Sequence, residues 1–511
     1  MSAPATAGAS AAFILDQALA LTWPPDPAAW LAGRAERVIE TSCAWVFLGD
    51  GVALKLKKPV DYGFLDFSTP KKRRWAIERE LAFNRATAPD IYRAVRRLTR
   101  APAGGYGLDG DGETLDYLLE MRAFDPDAVL SEHPERVDGE LGEALGRTIA
   151  RFHANAEARS EGGGVAALGY TIRTNADNLR AVAARLGPEA VGRVIAATDA
   201  ALDAAAPLLE ARRRTGFARR CHGDLHLGNI LLEAGQPVLF DCIEFNDRLS
   251  DIDVLYDVAF LVMDLAFRGR GEPANRVLNG WLDEAARALP AALWDGLAAL
   301  PLMLSARASV RAHVTANEGD PAAARAYLAA AERHLAPASP RLVAVGGAAG
   351  TGKTTLARRL APGLGPAPGA VILRSDEIRK RLAGVAPLDR LPSESYTSQS
   401  SQRVYDEMLR LARRVLAAGH SVVLDAVFLR PEERESSETV VREAGVPFRG
   451  FWLDGQPDDL RGRLAARTGD ASAAGPAALA EQLGRDPGPI GWRRLASIDA
   501  AVRRLGGAPE N

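Results

Sequence analysis

The sequence predicts two consecutive domains, an α+β domain followed by a parallel-sheet α/β domain. With 511 residues, the chain is too long for one hydrophobic core. Up to about residue 335, strand-like segments are followed by long helical stretches, which is typical of an α+β domain. From residue 341, short apolar strands alternate with helices, and this alternation predicts a parallel sheet.

The domain boundaries follow from changes in texture along the chain. An Ala/Pro-rich lead-in covers residues 1–35 and contains a predicted helix near 11–21. We expect the first domain over 36–335 and the second over 341–505. Residues 336–340 contain two prolines between a helical tail and a buried-strand pattern, so they are the predicted linker.

Composition narrows the class of protein. Apolar residues make up 47% of the chain and charged residues 25%, the balance of a globular protein. The net charge of -2 gives no reason to expect a nucleic acid or an anionic membrane as partner. No apolar stretch is long enough to cross a bilayer, and three cysteines cannot build a disulfide framework. We therefore expect a cytoplasmic protein.

The first domain begins with a predicted β-hairpin. Its strands cover 44–48 and 51–56, joined by a turn at Gly49-Asp50. A charged helix over 71–85, a strand over 115–121 and a mostly helical region over 138–209 follow. Further helices extend to about residue 334.

A set of spaced polar residues marks the first candidate site. His222-Gly-Asp-Leu-His-Leu-Gly-Asn229 places Asp224 and Asn229 five residues apart, the offset of the kinase catalytic loop. The apolar runs 230–232 and 238–240 flank a turn and lead to Asp241. If these runs form an antiparallel hairpin, Asn229 and Asp241 lie at the same end and can share a metal ion. This spacing is typical of phosphoryl transfer.

This segment resembles the aminoglycoside phosphotransferase family, which has a bilobal protein-kinase-like fold. The resemblance covers about residues 36–335 and implies an N-lobe over 36–125 and a C-lobe over 126–335. It implies Asp224 as the catalytic base, with Asn229 and Asp241 as Mg²⁺ ligands.

The same resemblance implies a nucleotide site upstream. Lys55, in Val52-Ala-Leu-Lys55, would hold the α- and β-phosphates, with Glu80 as its helical partner. Glu78 and Lys57 remain alternatives. The segment 116–122, with Glu120 and Met121, would be the hinge that meets adenine. One departure is that Thr41-Ser-Cys-Ala44 stands where a Gly-x-Gly-x-x-Gly loop would cover the phosphates.

A complete Walker A motif marks the second candidate site. Gly347-Ala-Ala-Gly-Thr-Gly-Lys-Thr354 follows an apolar strand and opens a helix, the context that the motif requires. Its glycines let backbone N–H groups face phosphate at a helix N-terminus. Lys353 would reach the β- and γ-phosphates, and Thr354 would place its hydroxyl on Mg²⁺. The candidate nucleotide-binding residues are Gly347, Gly350, Gly352, Lys353, Thr354 and Thr355.

Polar residues follow the next predicted strands, over 370–373 and 421–424. Asp376 and Asp425 project from the carboxyl edge of the sheet, where the P-loop also lies. Asp425 is then a Walker B-like metal acid, and Asp376 with Arg379 faces the substrate. Arg461, Arg463 and Arg467 have helical spacing, so one or two of them are candidate lid residues over the transferred phosphoryl group, or they form a solvated basic face.

Ser375-Asp-Glu-Ile-Arg379 and Val423-Leu-Asp-Ala-Val-Phe428 resemble P-loop small-molecule and polynucleotide kinases, including zeta-toxin-like and gluconate-kinase-like enzymes. The resemblance covers about residues 341–500 and implies Asp376 as a base. The domain order resembles a bacterial family of fused proteins. We therefore expect an enzyme that uses ATP and Mg²⁺ to phosphorylate hydroxyl groups of small molecules at two sites.

Two alternatives stay open. One domain could be a non-catalytic or ATPase-type regulatory module that controls the other. Aminoglycosides are a third hypothesis for the first site, although fold likeness alone does not identify a substrate.

Overall fold

The structure is a computed structural model that describes residues 27–495 except for 64, 103, 338, 392 and 467–474. Its contacts form two compact units. One contains residues up to 134 and 220–252, and the other contains 135–219 and residues from 253 onward. The predicted linker 336–340 falls within the second unit, and the domain boundaries stay a prediction. The helix predicted near 11–21 lies outside the described residues.

A six-stranded antiparallel sheet organises the first unit. Its strands and helices are α1 (Pro27–Ala32), β1 (Arg37–Glu40), β2 (Ala44–Gly49), β3 (Val52–Lys57), α2 (Pro70–Asn84), β4 (Tyr92–Arg100), β5 (Tyr106–Leu108) and β6 (Glu113–Arg122). The spatial order is β1-β2-β3-β6-β4-β5. The predicted hairpin is confirmed, and Asp50 and Gly51 turn the chain between β2 and β3 with φ of 47° and 73°.

Strand β3 separates two apolar clusters. Val52 and Leu54 pack with Trp30 on one face, whereas Ala53 packs with Ile77 of α2 on the other. Because side chains alternate along a strand, Lys55 shares the face of Ala53 and points towards α2. Local sequence therefore places this lysine beside the helix.

Helices begin the second unit, as the sequence predicts for 138–209. They are α3 (Gly139–Asn155), α4 (Gly164–Ala181), α5 (Ala183–Leu186) and α6 (Pro188–Arg214), followed by the short strand β7 (Ala218–Arg220).

The chain then returns to the first unit and forms a second hairpin. After a 3₁₀ turn over Leu227–Asn229 come β8 (Ile230–Glu233), β9 (Gln236–Leu239), α7 (Asp247–Ser250) and β10 (Asp251–Asp253). Strands β8 and β9 pair antiparallel, with Ile230 opposite Leu239. This confirms the predicted hairpin.

Four more helices continue the second unit. They are α8 (Val254–Phe267), α9 (Gly271–Ala285), α10 (Leu300–Asn317) and α11 (Pro321–His334). None of the helices that the structure describes is both long and apolar enough to cross a membrane.

A five-stranded parallel sheet with flanking helices ends the described chain. Its elements are β11 (Leu342–Gly347), α12 (Lys353–Leu360), β12 (Val371–Arg374), α13 (Ser375–Leu382), α14 (Ser398–Ala417), β13 (Val422–Asp425), α15 (Pro431–Ala444), β14 (Phe448–Leu453), α16 (Pro457–Ala466), α17 (Pro476–Gly484) and β15 (Arg493–Leu495). The order is β12-β13-β11-β14-β15, and every neighbouring pair is parallel. The predicted parallel sheet is thus confirmed.

Candidate functional site

Lys55 is the centre of the first site. Its ammonium lies 2.7 Å from Glu80 Oε1 and 2.8 Å from Asp241 Oδ1. Strand β3, helix α2 and the end of the second hairpin each supply one of these three residues. A cation held between two carboxylates is in place for phosphate oxygens.

Burial distinguishes Glu80 from Glu78, and contacts distinguish Lys55 from Lys57. Glu80 is fully buried and also lies 2.7 Å from Lys57, whereas Glu78 is half-exposed and pairs with Arg74. Lys57 is buried too, and its second partner is Glu244 at 2.6 Å. Only Lys55, of these two lysines, contacts Asp241.

The charges in this cluster support one another. Burial opposes the charge on Lys55, but Asp241 and Glu80 outweigh it and hold the pKa of this ammonium well above its usual value. Burial likewise opposes the charge on Glu80, yet Lys55 and Lys57 lower the pKa of its carboxyl to about 2. Lys55 and Glu80 therefore both stay ionised across the physiological pH range.

The catalytic-loop residues lie together at the start of the hairpin. Asn229 Nδ2 donates to the backbone oxygen of Asp224 at 2.8 Å and to its Oδ2 at 3.0 Å. His226 Nε2 lies 3.4 Å from the same Oδ2, a contact that sequence reasoning did not assign. The Asp224 side chain is 40% exposed, so its carboxylate remains accessible.

Buried contacts fix the backbone of this loop. The ring of His222 is fully buried, and its Nε2 lies 2.8 Å from the Phe240 carbonyl. Gly223 has φ of +86°, and a Cβ there would lie 2.8 Å from the Leu249 carbonyl. The His-Gly pair therefore anchors Asp224, because only glycine tolerates both this φ and this close approach.

The hairpin brings the two candidate metal ligands to one end. Phe240 N–H donates to the Asn229 carbonyl at 3.0 Å, and Asp241 follows directly. Asp241 adopts φ of 62°, and its backbone N–H donates to the Tyr92 hydroxyl at 3.0 Å. An amide oxygen and a carboxylate are oxygen donors of the kind that Mg²⁺ takes, so these residues fit that ion.

The predicted hinge segment is part of a strand, as the sequence predicts for 115–121. Residues 116–122 belong to strand β6, where Glu120 faces Leu54 of β3 and Ala94 of β4. Met121 likewise has partners on both sides, and the Glu120 carboxylate pairs with Arg96 at 2.6 Å. The sequence shows an apolar strand-like run, but it does not show that both edges are paired. Adenine contact at Glu120 and Met121 stays a prediction.

The second site is built on the loop between β11 and α12. Gly347 has φ of +136°, and a Cβ there would lie 2.5 Å from the Leu453 carbonyl, so this position requires glycine. Gly350 and Gly352 also have positive φ, of 82° and 90°. Lys353 Nζ donates to the Ala348 carbonyl at 2.9 Å. Thr355 lines a cavity beside this loop.

The predicted metal residues of the second site are in contact. Thr354 Oγ1 donates to Asp425 Oδ2 at 2.6 Å. Burial raises the pKa of Asp425, while Arg374 and Lys353 act in the opposite direction. A hydroxyl beside a buried carboxylate fits Mg²⁺, since a cation would stabilise the charged form of Asp425.

Arg374 is a buried residue that sequence reasoning missed. Its guanidinium lies 3.7 Å from Asp425 and 3.9 Å from Glu377. Its place at the end of an apolar strand was the one available signal, because a cation buried there needs acidic partners.

Asp376 and Arg379 line a cavity of about 570 Å³ together with P-loop residues. Both come from helix α13, and Arg379 donates to the Ser395 carbonyl at 2.6 Å. Arg430 and Tyr405 line the same cavity but were not predicted. They lie outside the motifs, and only the fold brings them to this place.

The three candidate lid arginines differ. Arg463 lines the cavity and donates to the Gly350 carbonyl at 3.4 Å. Arg467 lies outside the described residues. Arg461 instead pairs with Asp458 on the surface. Gln482, which was not predicted, accepts a hydrogen bond from the Ala349 N–H at 2.8 Å.

Two family matches agree with this architecture. Residues 68–300 match the family described as "Phosphotransferase enzyme family", and residues 342–486 match the family described as "AAA domain". The predicted fold class and the predicted resemblance are confirmed. The chain is a phosphotransferase of the kinase type.

Mycobacterial relatives match the chain over both of these segments. The Mycobacterium tuberculosis "Uncharacterized protein Rv2004c" is 32% identical over 460 residues, which cover 87% of this chain and 89% of the relative. The chain belongs to the same family as this protein. The Mycobacterium bovis "Uncharacterized protein Mb2027c" matches to the same extent.

Solved structures resemble separate parts of the chain. "Amicoumacin kinase hAmiN in complex with AMP-PNP, Ca2+ and Ami" is 14% identical, with a TM-score of 0.37, and the match covers 58% of this chain and 87% of that one. A sugar kinase from Janibacter sp. HTCC2649 is 20% identical, with a TM-score of 0.25, and the match covers 32% and 91%.

Proposed function

We propose that this enzyme has two phosphoryl-transfer sites, each of which uses ATP and Mg²⁺ to phosphorylate a hydroxyl group of a small molecule. The observation that carries the proposal is that each compact unit brings together its own phosphate-facing lysine and its own metal-fitting oxygen donors. These are Lys55 with Asn229 and Asp241 in one unit, and Lys353 with Thr354 and Asp425 in the other.

The residues have separate roles at the first site. Asp224 accepts the proton of the acceptor hydroxyl, and Lys55 neutralises phosphate charge. Asn229 and Asp241 would hold Mg²⁺, which neutralises charge on the phosphates when it is bound. At the second site, Asp376 takes the role of base, Lys353 binds phosphate, and Thr354 and Asp425 would hold the metal. Arg463 is positioned beside the P-loop for the transferred group.

Transfer at the two sites is tested with single-site variants of the full chain. Asp224→Asn keeps the side-chain volume and removes the base, so we expect a loss of about 10²–10⁴ in the first transfer rate with ATP binding retained. Lys353→Ala should remove turnover at the P-loop. Products labelled from γ-³²P-ATP in a metabolite pool report both activities. An Asp224→Asn enzyme that keeps every product would refute the first assignment.

One observation favours a regulatory role for the P-loop segment as a second candidate function. Helix α3 forms ion pairs with α12 and α13, and Arg287, which follows α9, forms one with α13. Both α3 and Arg287 lie in the segment that matches the phosphotransferase family. If the P-loop segment only regulates, Lys353→Ala removes the Asp224-dependent products and no product depends on Lys353 alone.

Aminoglycosides remain a hypothesis for the first acceptor. A resistance phenotype on expression that is lost with Asp224→Asn would support them, and unchanged antibiotic sensitivity would argue against them.

A further inference from the structure

The cavity beside the P-loop has a second wall, to which Asp376 also belongs. P-loop residues such as Lys353 and Thr354 line the phosphate side, and helices α13, α14 and α15 contribute the other wall. Two arginines stand in this wall, Arg379 on α13 and Arg430 immediately before α15.

Neither arginine forms an ion pair with a carboxylate of the described residues. Arg379 donates to the Ser395 carbonyl at 2.6 Å and to Ser401 Oγ at 3.4 Å. Arg430 donates to Ser398 Oγ at 3.3 Å. Since Ser398 and Ser401 are three residues apart on α14, the two guanidinium groups approach the same helix face.

Four carboxylates line the cavity, and the fourth of them, Asp376, forms no ion pair with Arg379 or Arg430 among the described residues. Glu433 accepts the backbone N–H of Arg430 at 3.2 Å. Burial raises the pKa of its carboxyl, whereas the Tyr405 hydroxyl and the charge on Arg430 act in the opposite direction. Glu481 pairs with Arg485 at 3.0 Å. Asp425 accepts a hydrogen bond from the Thr354 hydroxyl. Neither guanidinium group is therefore held in an ion pair by a carboxylate of the cavity among the described residues, although Asp376 and Glu433 line the same cavity.

We infer that the P-loop site phosphorylates a hydroxyl group of an acceptor that already carries a phosphate, sulfate or carboxylate, and that Arg379 and Arg430 bind this anionic group. This inference rests on the proposed function of the second site. Planar guanidinium groups suit such anions because they offer paired N–H donors. A cationic acceptor would be repelled by the same two charges.

The reaction is a group transfer in which no oxidation occurs. The bond between the γ-phosphorus and its bridging oxygen breaks, and ADP leaves with that oxygen. The acceptor oxygen forms the new bond to phosphorus, and its proton passes to Asp376. Asp376 lines this cavity beside the P-loop, so we assign its carboxylate as the acceptor of this proton.

The test separates metabolites by charge before the reaction. A small-molecule extract is divided at pH 7 on an anion-exchange resin into retained and unretained fractions. Each fraction is incubated with γ-³²P-ATP and full-length enzyme carrying Asp224→Asn, and the same enzyme with Lys353→Ala gives the background. We expect Lys353-dependent label in products of the retained fraction alone. Lys353-dependent label from the unretained fraction would overturn the inference while leaving the proposed function intact.

Absence of Lys353-dependent label from both fractions would instead overturn the proposed function of the second site, and the inference with it.

A competition experiment identifies the charge that the site accepts. Glycerol and glycerol 3-phosphate, or glucose and gluconate, serve as neutral and anionic pairs added to the labelled reaction. We expect inhibition by the anionic member of a pair only. Phosphate and carboxylate members distinguish which anion the arginines prefer.

Substitutions assign the effect to the two arginines. Arg379→Gln and Arg430→Gln should each lower the Lys353-dependent label about tenfold or more, the loss expected for one charge-assisted hydrogen bond, with ATP affinity changed less than twofold. Arg430→Lys should restore part of the label because it keeps the charge. Arg413→Gln is the control, since Arg413 is exposed on α14 and pairs with Glu443. Unchanged labelling in both glutamine variants would contradict the inference.

Discussion

Lys55 links two parts of the first site, because it contacts both the buried Glu80 of helix α2 and the candidate metal ligand Asp241. Its side chain is 15% exposed, so phosphate can reach it while most of its stem is covered. The neighbouring Lys57 is 3% exposed and serves to neutralise Glu80 and Glu244. Two lysines on one strand face thus have different tasks.

We predict that Lys55→Met removes the Asp224-dependent labelling of a metabolite pool by about 10²-fold or more, because a phosphate-binding charge is lost. The measurement uses full-length enzyme in a Lys353→Ala background. Glu78→Gln is the matched control on α2, since Glu78 pairs only with the exposed Arg74 among the described residues. A Lys55→Met enzyme that is as active as the Glu78→Gln control would show that Lys55 does not bind the nucleotide.

Glu80 also gives a prediction about pH. Its pKa is lowered to about 2 in the folded protein, so the unfolded chain takes up its proton first as pH falls. Stability from Glu80 is present above about pH 4.5 and is lost towards pH 2. The difference in unfolding free energy between wild type and Glu80→Gln, from urea titrations, should therefore shrink from pH 6 to pH 3. A constant difference would contradict this account, and Glu78→Gln should follow the wild type.

At the residue scale, spacing alone placed Asp224, Asn229 and Asp241 in one loop and hairpin, because local pairing fixes their proximity. Spacing did not separate Glu80 from Glu78, since burial decides between them. Arg374 and Arg430 were missed because Asp425 and Ser398, which they contact, come from elements that are distant in sequence.

Among the elements, strand β12 depends on a helix outside the parallel sheet. It is an edge strand, and two asparagines of α9 satisfy backbone groups beside it. Asn279 Oδ1 accepts the Ile372 N–H at 2.7 Å, and Asn275 Nδ2 donates to the Ala370 carbonyl at 3.0 Å. An exposed strand edge is thereby covered.

We predict that Asn279→Ala lowers the free energy of unfolding by about 1–3 kcal/mol, because a buried N–H loses its acceptor. Urea denaturation of the full chain measures the change. Asn317→Ala, at the exposed end of α10, should change it by less than about 0.5 kcal/mol. Equal effects of the two substitutions would show that the Ile372 contact contributes nothing specific.

The P-loop and both hairpins were predictable because a few adjacent residues determine them. The pairing of β6 on both edges was not predictable, since it depends on β3 and β4. Strand β15 was missed as well, because Arg493–Leu495 is short and its first two residues are exposed arginines.

At the scale of the whole molecule, the P-loop segment is joined to helices α3 and α9 within the second unit. Arg147 lies 2.7 Å from Glu377, and Glu143 lies 2.8 Å from Arg358 of α12. Arg287 also reaches Glu377, at 3.4 Å. The sequence predicted two domains in order, but these contacts between distant segments could not be predicted from it. Experiments on either site therefore use the full chain.

Asp283 makes this charged cluster sensitive to pH. Burial and the nearby carboxylates of Glu377 and Glu143 raise its pKa to about 7, against Arg147 and Arg374, which lower it. Between about pH 4 and 7 the folded protein keeps this proton while the unfolded chain releases it, so stability falls as pH rises.

We predict that Asp283→Asn gains stability relative to wild type between pH 5 and pH 8, because the amide has no proton to lose. Unfolding free energies from urea titrations at both pH values measure the gain. Asp199→Asn, on an exposed position of α6, is the control and should show the same difference at both pH values. An Asp283→Asn profile parallel to that of wild type would contradict the assignment.

We propose that this one chain carries two independent phosphoryl-transfer sites. The most direct measurement compares γ-³²P-labelled products from a metabolite pool for wild type, Asp224→Asn, Lys353→Ala and the double variant, all full-length. We expect each single variant to lose a different subset of products and the double variant to lose all of them. If either single variant loses every product, or the double variant loses none, the claim is contradicted.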